Sequence, residues 1–329
     1  MTTSAPPAAE PLLKGRRRAA DASFHRLTFI CGALVLLILA LIAIVMTKQA
    51  WPILGNHARN FFLGTNWNPE ATRPSFGALG FVYGTVVTSV IALIFAVPMS
   101  VGIALLLTEV APRWLRRPAT FVVDLLAAVP SVVFGLWGVL ALAPALQHVY
   151  DHLAHAFHAV PGLSVVFSAN DGGGGSGRSF FTTGLIFALM ITPIITAITR
   201  EVFATTPSSQ KEAALALGAT RWEMVRVTVF PHSRHGFTGA VLLGLGRAMG
   251  ETIAAALVIG SSVQVTPHLF SSGDSMAAVI ANQFGEATGD FRAALIGLGV
   301  VLFALTVIVN LIARLIVGEA AAATSGVGR

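Results

Sequence analysis

The chain has 329 residues, of which 55% are hydrophobic and only 11% charged, against roughly 25% charged in ordinary soluble domains. That balance excludes a soluble globular protein and points to a helical membrane protein. The formal charge of +6 does not mark a nucleic-acid binder, because the basic residues sit in short segments between apolar runs without a basic stripe or interleaved aromatics.

Residues 1–28 are rich in proline and alanine and then basic (Lys14, Arg16, Arg17, Arg18, Arg26), which predicts a disordered cytoplasmic tail leading to a membrane surface. The charge-free run Phe29–Met46 exceeds a signal-peptide core and lacks a convincing cleavage site after it. It reads as a retained first span. It holds Cys31, the sole cysteine, so no internal disulfide can form.

Five further charge-poor runs follow, at about Phe81–Leu107, Leu125–Leu146, Phe180–Thr199, Phe237–Gly260 and Ala293–Ala313. A helix needs about 20 residues to cross ~30 Å of hydrocarbon, and these runs supply them. Lipid offers no water to the backbone, so only helices or closed barrels span it, and no ten-residue alternation suggests a barrel. The expected fold is all-α, with six transmembrane helices. They form one domain over residues 29–317, followed by a short cytoplasmic tail at 318–329.

Charge bias orients these helices. With both termini inside, the inner segments hold 15 Lys/Arg and the outer ones 5, and Arg247 lies within a span. The positive-inside rule places the 200–236 loop in the cytoplasm. On the outer side, residues 48–80 include Trp51 and Trp67, read as headgroup-level anchors. Residues 147–179 carry His148, His152, His155 and His158 near one face of a possible helix, then the run Asn170–Gly177. Such histidines either bind zinc or are simply solvated. Pro98, Pro130 and Pro193 fall within spans and read as kinks that neighbouring helices re-satisfy.

The 200–236 loop predicts two short helices. Thr206 is a candidate cap for a helix opening with Pro207, and Gly218 suits its C-terminal stop. Thr220-x-x-Glu223 fits a capping box that starts the second. On the residues alone the pair is either a linker or a docking element.

The run Phe237–Gly260 carries Arg247 and Glu251 in its middle. Placing a charge at the centre of a span costs roughly 2.5–3.5 kcal/mol on insertion scales, which makes such residues functional by default. At i, i+4 they share a helical face. Either they form a buried ion pair, or they line an anion pathway in which the arginine fork meets paired oxygens of an oxyanion. Gly246-x-x-x-Gly250 reads as a packing face. Asp124, Glu109 and Asp290 sit singly at span ends, so no catalytic constellation is evident. Gly172-x-x-x-x-Gly177-Arg178-Ser179 mimics a phosphate loop, but arginine replaces the lysine and no strand precedes it.

Glu212-Ala213-Ala214-x-x-x-Gly218, with Pro231 thirteen residues after the glycine, resembles the EAA loop of ABC-importer permeases. Thr228 and Phe230 stand where that family usually has isoleucine and leucine. FGALGFVYGTVVTS (76–89), AVPSVVFGLWG (128–138), EAALALG (212–218), GLGRAMGETIA (244–254) and MAAVIANQFGEA (276–287) together resemble the phosphate-specific permeases of the PstC type.

The resemblance implies the type I importer permease fold in a bacterial inner membrane, and no covalent chemistry by this chain. It implies a coupling helix at Glu212, Ala213, Ala214, Gly218 and Pro231 that docks on a cytoplasmic ATPase. It implies a homologous second permease of the PstA type, two ATPase copies that bind the ATP and magnesium, and an external phosphate-binding protein. Arg247 and Glu251 become the charged pair of a phosphate pathway. The helix pattern alone also permits another oxyanion, sulfate or molybdate. A stand-alone secondary carrier would show an internal repeat, which is not evident.

Overall fold

In the computed structural model, residues 12–70, 74–157, 160, 164 and 176–325 are described. His158 and the glycine run at 172–175 lie outside them, as do residues 1–11 of the expected tail. Among the described residues the chain is mostly helical, with one two-residue antiparallel pair, β1 (Trp67–Asn68) with β2 (Ser75–Phe76), and an irregular stretch from Ile259 to Ser275 closed by a bridge between Gly260 and Gly273.

Helix α1 (Leu12–Asn56) is followed by the short α2 (Ala58–Leu63) and the β pair, then by α3 (Leu79–Leu105), which ends in a π-helical turn at Leu106–Val110. Next come α4 (Arg113–Ala127), α5 (Ser131–Trp137), a second π turn at Gly138–Leu142, and α6 (Ala143–Phe157). The long α7 (Phe180–Ala204) leads to α8 (Ser208–Ala216), α9 (Arg221–Met224) and a third π turn at Val225–Val229. The chain closes with α10 (Phe230–Met249), α11 (Ile253–Val258), α12 (Met276–Gln283) and α13 (Gly289–Ser325).

Among the described residues, five helical stretches are long and apolar enough to cross a membrane: Ser23–Asn56, Leu79–Val110, Ser131–Ala156, Phe180–Ala204 and Gly289–Leu315. The run expected as a continuous span at Phe237–Gly260 is divided instead. Helix α10 starts earlier, at Phe230, and stops at Met249. The chain turns through Gly250–Thr252 and resumes as the six-residue α11.

Other boundaries shift too. The expected disordered tail is helical from Leu12, as the upstream extension of α1. At the far end α13 runs past residue 318, so the expected tail begins as helix. The span expected at Leu125–Leu146 is broken at Ala128–Pro130: α4 precedes the proline and α5 follows it. The residue before a proline is steered out of helical geometry, and here the whole turn opens. Pro98 and Pro193 stay inside α3 and α7.

The core divides into three clusters. The central one packs Ala92 and Ala96 of α3 against Ile186, Ile191 and Ile195 of α7, Ala240 and Ala248 of α10, and Ala254 and Val258 of α11. Close approach is set by small residues: a Cβ on Gly244 would lie 2.6 Å from Ile195 Cδ1, and one on Gly236 2.6 Å from Val202 Cγ1. A second cluster joins Phe61, Phe81, Met276, Leu295 and Leu298. The third, around Ala104, Phe203, Met224, Val225 and Val229, anchors the 208–229 loop to the ends of α3 and α7. Outside these clusters, α1, α4 and α13 expose leucine, valine, isoleucine and phenylalanine along most of their length, as helices do where lipid or another chain covers them.

Trp67 is not a lipid anchor. Its ring meets Phe76, Phe81 and Phe291 edge-on, and its Nε1 donates to Gln283 Oε1 at 3.0 Å. The indole thereby ties the β pair to α12 and α13. Trp51 is exposed, as an anchor requires. Between α11 and α12 the chain folds back across the ends of α3 and α7. Phe180 N donates to Ser271 O at 3.1 Å, Tyr83 Oη to Thr266 O, and Met276 N to Thr85 Oγ1 at 3.0 Å.

Candidate functional site

Two features carry the functional expectations, and one helix joins them: the loop that precedes α10 and a cleft that runs along it. The first is the loop before α10. Helix α8 begins at Ser208 rather than Pro207. Gln210 N donates to the Pro207 carbonyl at 3.2 Å. Thr206 is not its cap: the side chain is buried, with Oγ1 3.5 Å from Ser233 Oγ. Gly218 does end the helix, with φ +88, a value that favours glycine. The capping box is present. Thr220 Oγ1 accepts from Glu223 N at 3.3 Å, and Glu223 Oε2 accepts from Thr220 N at 2.7 Å. The Thr220 N–H, with the Thr220 hydroxyl donating to the same Oε2 at 2.8 Å, holds the Glu223 carboxyl below its ordinary range.

Glu212, Ala213, Leu215, Leu217 and Trp222 face outward from this loop, whereas Ala214 turns partly into the third cluster. Leu217 is 90% exposed. Lys211, on the inner side, donates from Nζ to Glu109 Oε1 at 2.6 Å. Glu109 is therefore paired rather than single, and so is Asp124, 4.0 Å from Arg200. Pro231 sits exposed in the first turn of α10, where its missing N–H costs nothing.

The second feature is a cleft of about 990 Å³ along α10. His235, Thr238, Gly239, Leu242, Gly246 and Arg247 recur every three or four residues, a single helical stripe. Glu251 closes it at the helix break, and Asn310 and Arg314 of α13 form the other wall. Arg247 and Glu251 thus line one cleft but do not share a helical face, because α10 has ended before Glu251. Among the described residues no ion pair joins them. Glu251 is buried, with Oε1 3.5 Å from Ala254 N at the start of α11, while Arg247 is exposed to the cleft.

The glycines differ from expectation in the same way. Gly246 faces open space and Gly250 has only the backbone of its own helix nearby, so within this chain they widen the cleft. Gly236 and Gly244 make the close packing instead. Sequence reasoning did not single out His235, Asn310 or Arg314. The first two leave no signal apart from the stripe periodicity, and Arg314 looked like one more inner-side arginine.

On α6, His148, Asp151, His152 and His155 are all exposed, and among the described residues no group of three or more potential ligands could hold a metal. Ser179, the last residue of the phosphate-loop mimic, is a helix cap: its Oγ accepts from Thr182 N at 3.1 Å.

Residues 96–319 match the family model described as binding-protein-dependent transport system inner membrane component. The "Phosphate transport system permease protein PstC" of Mesorhizobium japonicum is 43% identical over 296 residues, which are 89% of each chain. Its namesake from Haemophilus influenzae is 41% identical over 90% of this chain and 93% of that one. Among solved structures, a chain of the bacterial alginate ABC transporter in complex with alginate pentasaccharide-bound periplasmic protein is similar at TM-score 0.57 and 18% identity, over 92% of this chain and 96% of that one. That likeness concerns the fold.

Proposed function

The chain belongs to the binding-protein-dependent transport inner membrane components, and among them to the PstC-type permeases, and on that premise we propose that it carries inorganic phosphate across the membrane by alternating access. It is a multi-pass membrane subunit of an ABC importer. The carrying observation is the cleft itself: Arg247 on the α10 stripe and Glu251 at the helix break line it together, and among the described residues no ion pair joins them.

An arginine whose fork is not already engaged is free to grip two oxygens of a tetrahedral anion. Glu251, held at the break in the backbone, places a negative charge beside the anion and keeps it from binding too tightly to leave. The path needs a second wall, supplied by a homologous permease of the PstA type against the exposed cleft. External phosphate-binding protein delivers the anion on the outer side, and both termini lie in the cytoplasm.

Force enters through Glu212, Ala213, Ala214 and Gly218, with Pro231 starting the helix that transmits it. Leu215 and Leu217 join that docking surface. Two cytoplasmic ATPase copies bind the ATP and magnesium, and this chain holds no nucleotide.

The test is uptake into proteoliposomes that hold the assembled complex, with ATP inside and binding protein outside. Phosphate uptake that sulfate does not compete for, lost in Arg247→Gln with the complex intact, supports the reading. Sulfate uptake in place of phosphate sinks the substrate assignment.

A further inference from the structure

We propose that Arg314, with His235, forms a second anion station at the coupling-loop end of the same cleft, where phosphate pauses before release. The inference rests on the phosphate reading above and deepens it.

Both residues line the cleft that contains Arg247. His235 lies twelve residues before Arg247 on α10, which is about 18 Å along a helix axis. That is several times the reach of a hydrogen bond, so one anion cannot be held at both ends at once and the two act as separate stations. Arg314 is on α13, one turn beyond Asn310 on the same face, and both side chains border the cleft.

The polar groups of the lower cleft divide into occupied and open ones. Thr238 donates its hydroxyl to Arg234 O at 2.8 Å, and Asn310 donates Nδ2 to Thr306 O at 2.9 Å. Those donors serve their own helices. Among the described residues neither His235 nor Arg314 has a hydrogen-bond or ion-pair partner. An imidazole keeps at least one N–H donor in either charge state, and the guanidinium keeps five.

The cleft wall therefore carries two arginines and a histidine against the single carboxylate of Glu251, which lies at the far end. An anion released from Arg247 moves away from Glu251 and towards the next positive charge. Arg314, at the end of the apolar span Gly289–Leu315, also suits a bond to a phospholipid headgroup. The two roles differ in one respect: only a station on the path senses free phosphate from within.

The experiment loads the same proteoliposomes with increasing inorganic phosphate and measures the internal concentration that halves uptake. Arg314→Gln and His235→Gln are compared with wild type. The expected result is an inhibition midpoint raised about tenfold in Arg314→Gln, the scale of one lost charge-assisted hydrogen bond. A smaller rise is expected in His235→Gln, and an intermediate one in Arg314→Lys, which keeps the charge and loses the fork.

Midpoints equal to wild type in all three variants, or no inhibition of wild type by internal phosphate, overturn the station and leave Arg314 as a headgroup anchor. Wild type that carries sulfate and not phosphate overturns the phosphate reading and the station together, and shows as a loss of uptake before any midpoint is read. If Arg314→Gln fails to assemble, His235→Gln and Arg314→Lys decide the matter alone.

Discussion

Lys211 Nζ lies 2.6 Å from Glu109 Oε1, and both side chains are largely shielded from solvent at 19% and 13% exposure. The bond links the exposed helix α8 to the π turn that ends α3. Helix α3 in turn packs along α7 and α10. On the proposed function, a push on α8 would reach the membrane helices through a short charged strut as well as through the chain itself.

Cutting that strut should uncouple the machine more than unfold it. A hydrogen bond between charged groups is worth about 1.5–3 kcal/mol, and Lys211→Met leaves Glu109 without its partner. We expect phosphate uptake per ATP hydrolysed to fall about tenfold, with complex assembly retained. Glu109→Gln keeps an acceptor and should fall less. Uptake and ATP turnover measured together decide it; equal ratios in both variants and wild type would refute the strut.

Two glycines on neighbouring helices should respond in opposite ways. A Cβ on Gly84 would overlap the Asp274 carbonyl oxygen, a backbone atom with no rotamer to yield. Overpacking of this kind typically costs about 1–3 kcal/mol, so Gly84→Ala should lower the melting temperature of the purified complex. Gly246 faces open cleft. Gly246→Ala should melt like wild type while transporting more slowly, because the methyl group narrows the path. Matching melting temperatures for the two variants would contradict this division.

Asp274 predicts a pH slope. It lies between α11 and α12, outside the membrane-spanning helices, and burial pushes its carboxyl up to about 7, against a smaller opposing effect of the hydrogen bond from Ser275 N. The folded protein therefore holds a proton that the unfolded chain, with an ordinary carboxylate near 3.8, has released. Where the folded state binds more protons, stability falls as pH rises. The decline should run from about pH 4 to about pH 7 and level off above it. Asp274→Asn should remove this slope and raise the melting temperature at pH 8. Thermal melts of wild type and variant across that range test it, and parallel curves would clear Asp274 of the role.

How much of this was legible in the residues depends on distance along the chain. Charge-free runs mark α1, α3, α7 and α13, and Gly218 and the Thr220–Glu223 box mark the two short helices of the 208–224 loop, because each signal is local. The break at Gly250–Thr252 was hidden, since the chain is apolar on both sides and the dip at Arg247 and Glu251 reads equally well as a charged pair within a span. Its only traces are a glycine suited to ending a helix and a threonine suited to starting one. Lys211 and Glu109 are 102 residues apart, and no periodicity announces such a pair. Trp67 misled for the same reason: its partners Gln283 and Phe291 are distant in sequence, and an isolated tryptophan near a span end looks like a lipid anchor.

Arg247 and Glu251 are the sharpest case, because a helical reading pairs them and the break separates them. If they were a structural ion pair, neutralising one would leave an uncompensated charge and the double variant would recover part of the loss. In the observed geometry no such pair exists, so their effects on stability should add within about 0.5 kcal/mol. Transport should behave differently. Arg247→Gln should abolish uptake by removing the anion's grip. Glu251→Gln should leave binding intact and slow release, because nothing then opposes the arginine. Melts of the two single variants and the double variant, run beside single-turnover uptake, separate the accounts. Recovery of stability in the double variant would restore the ion pair and move the anion path to another wall of the complex.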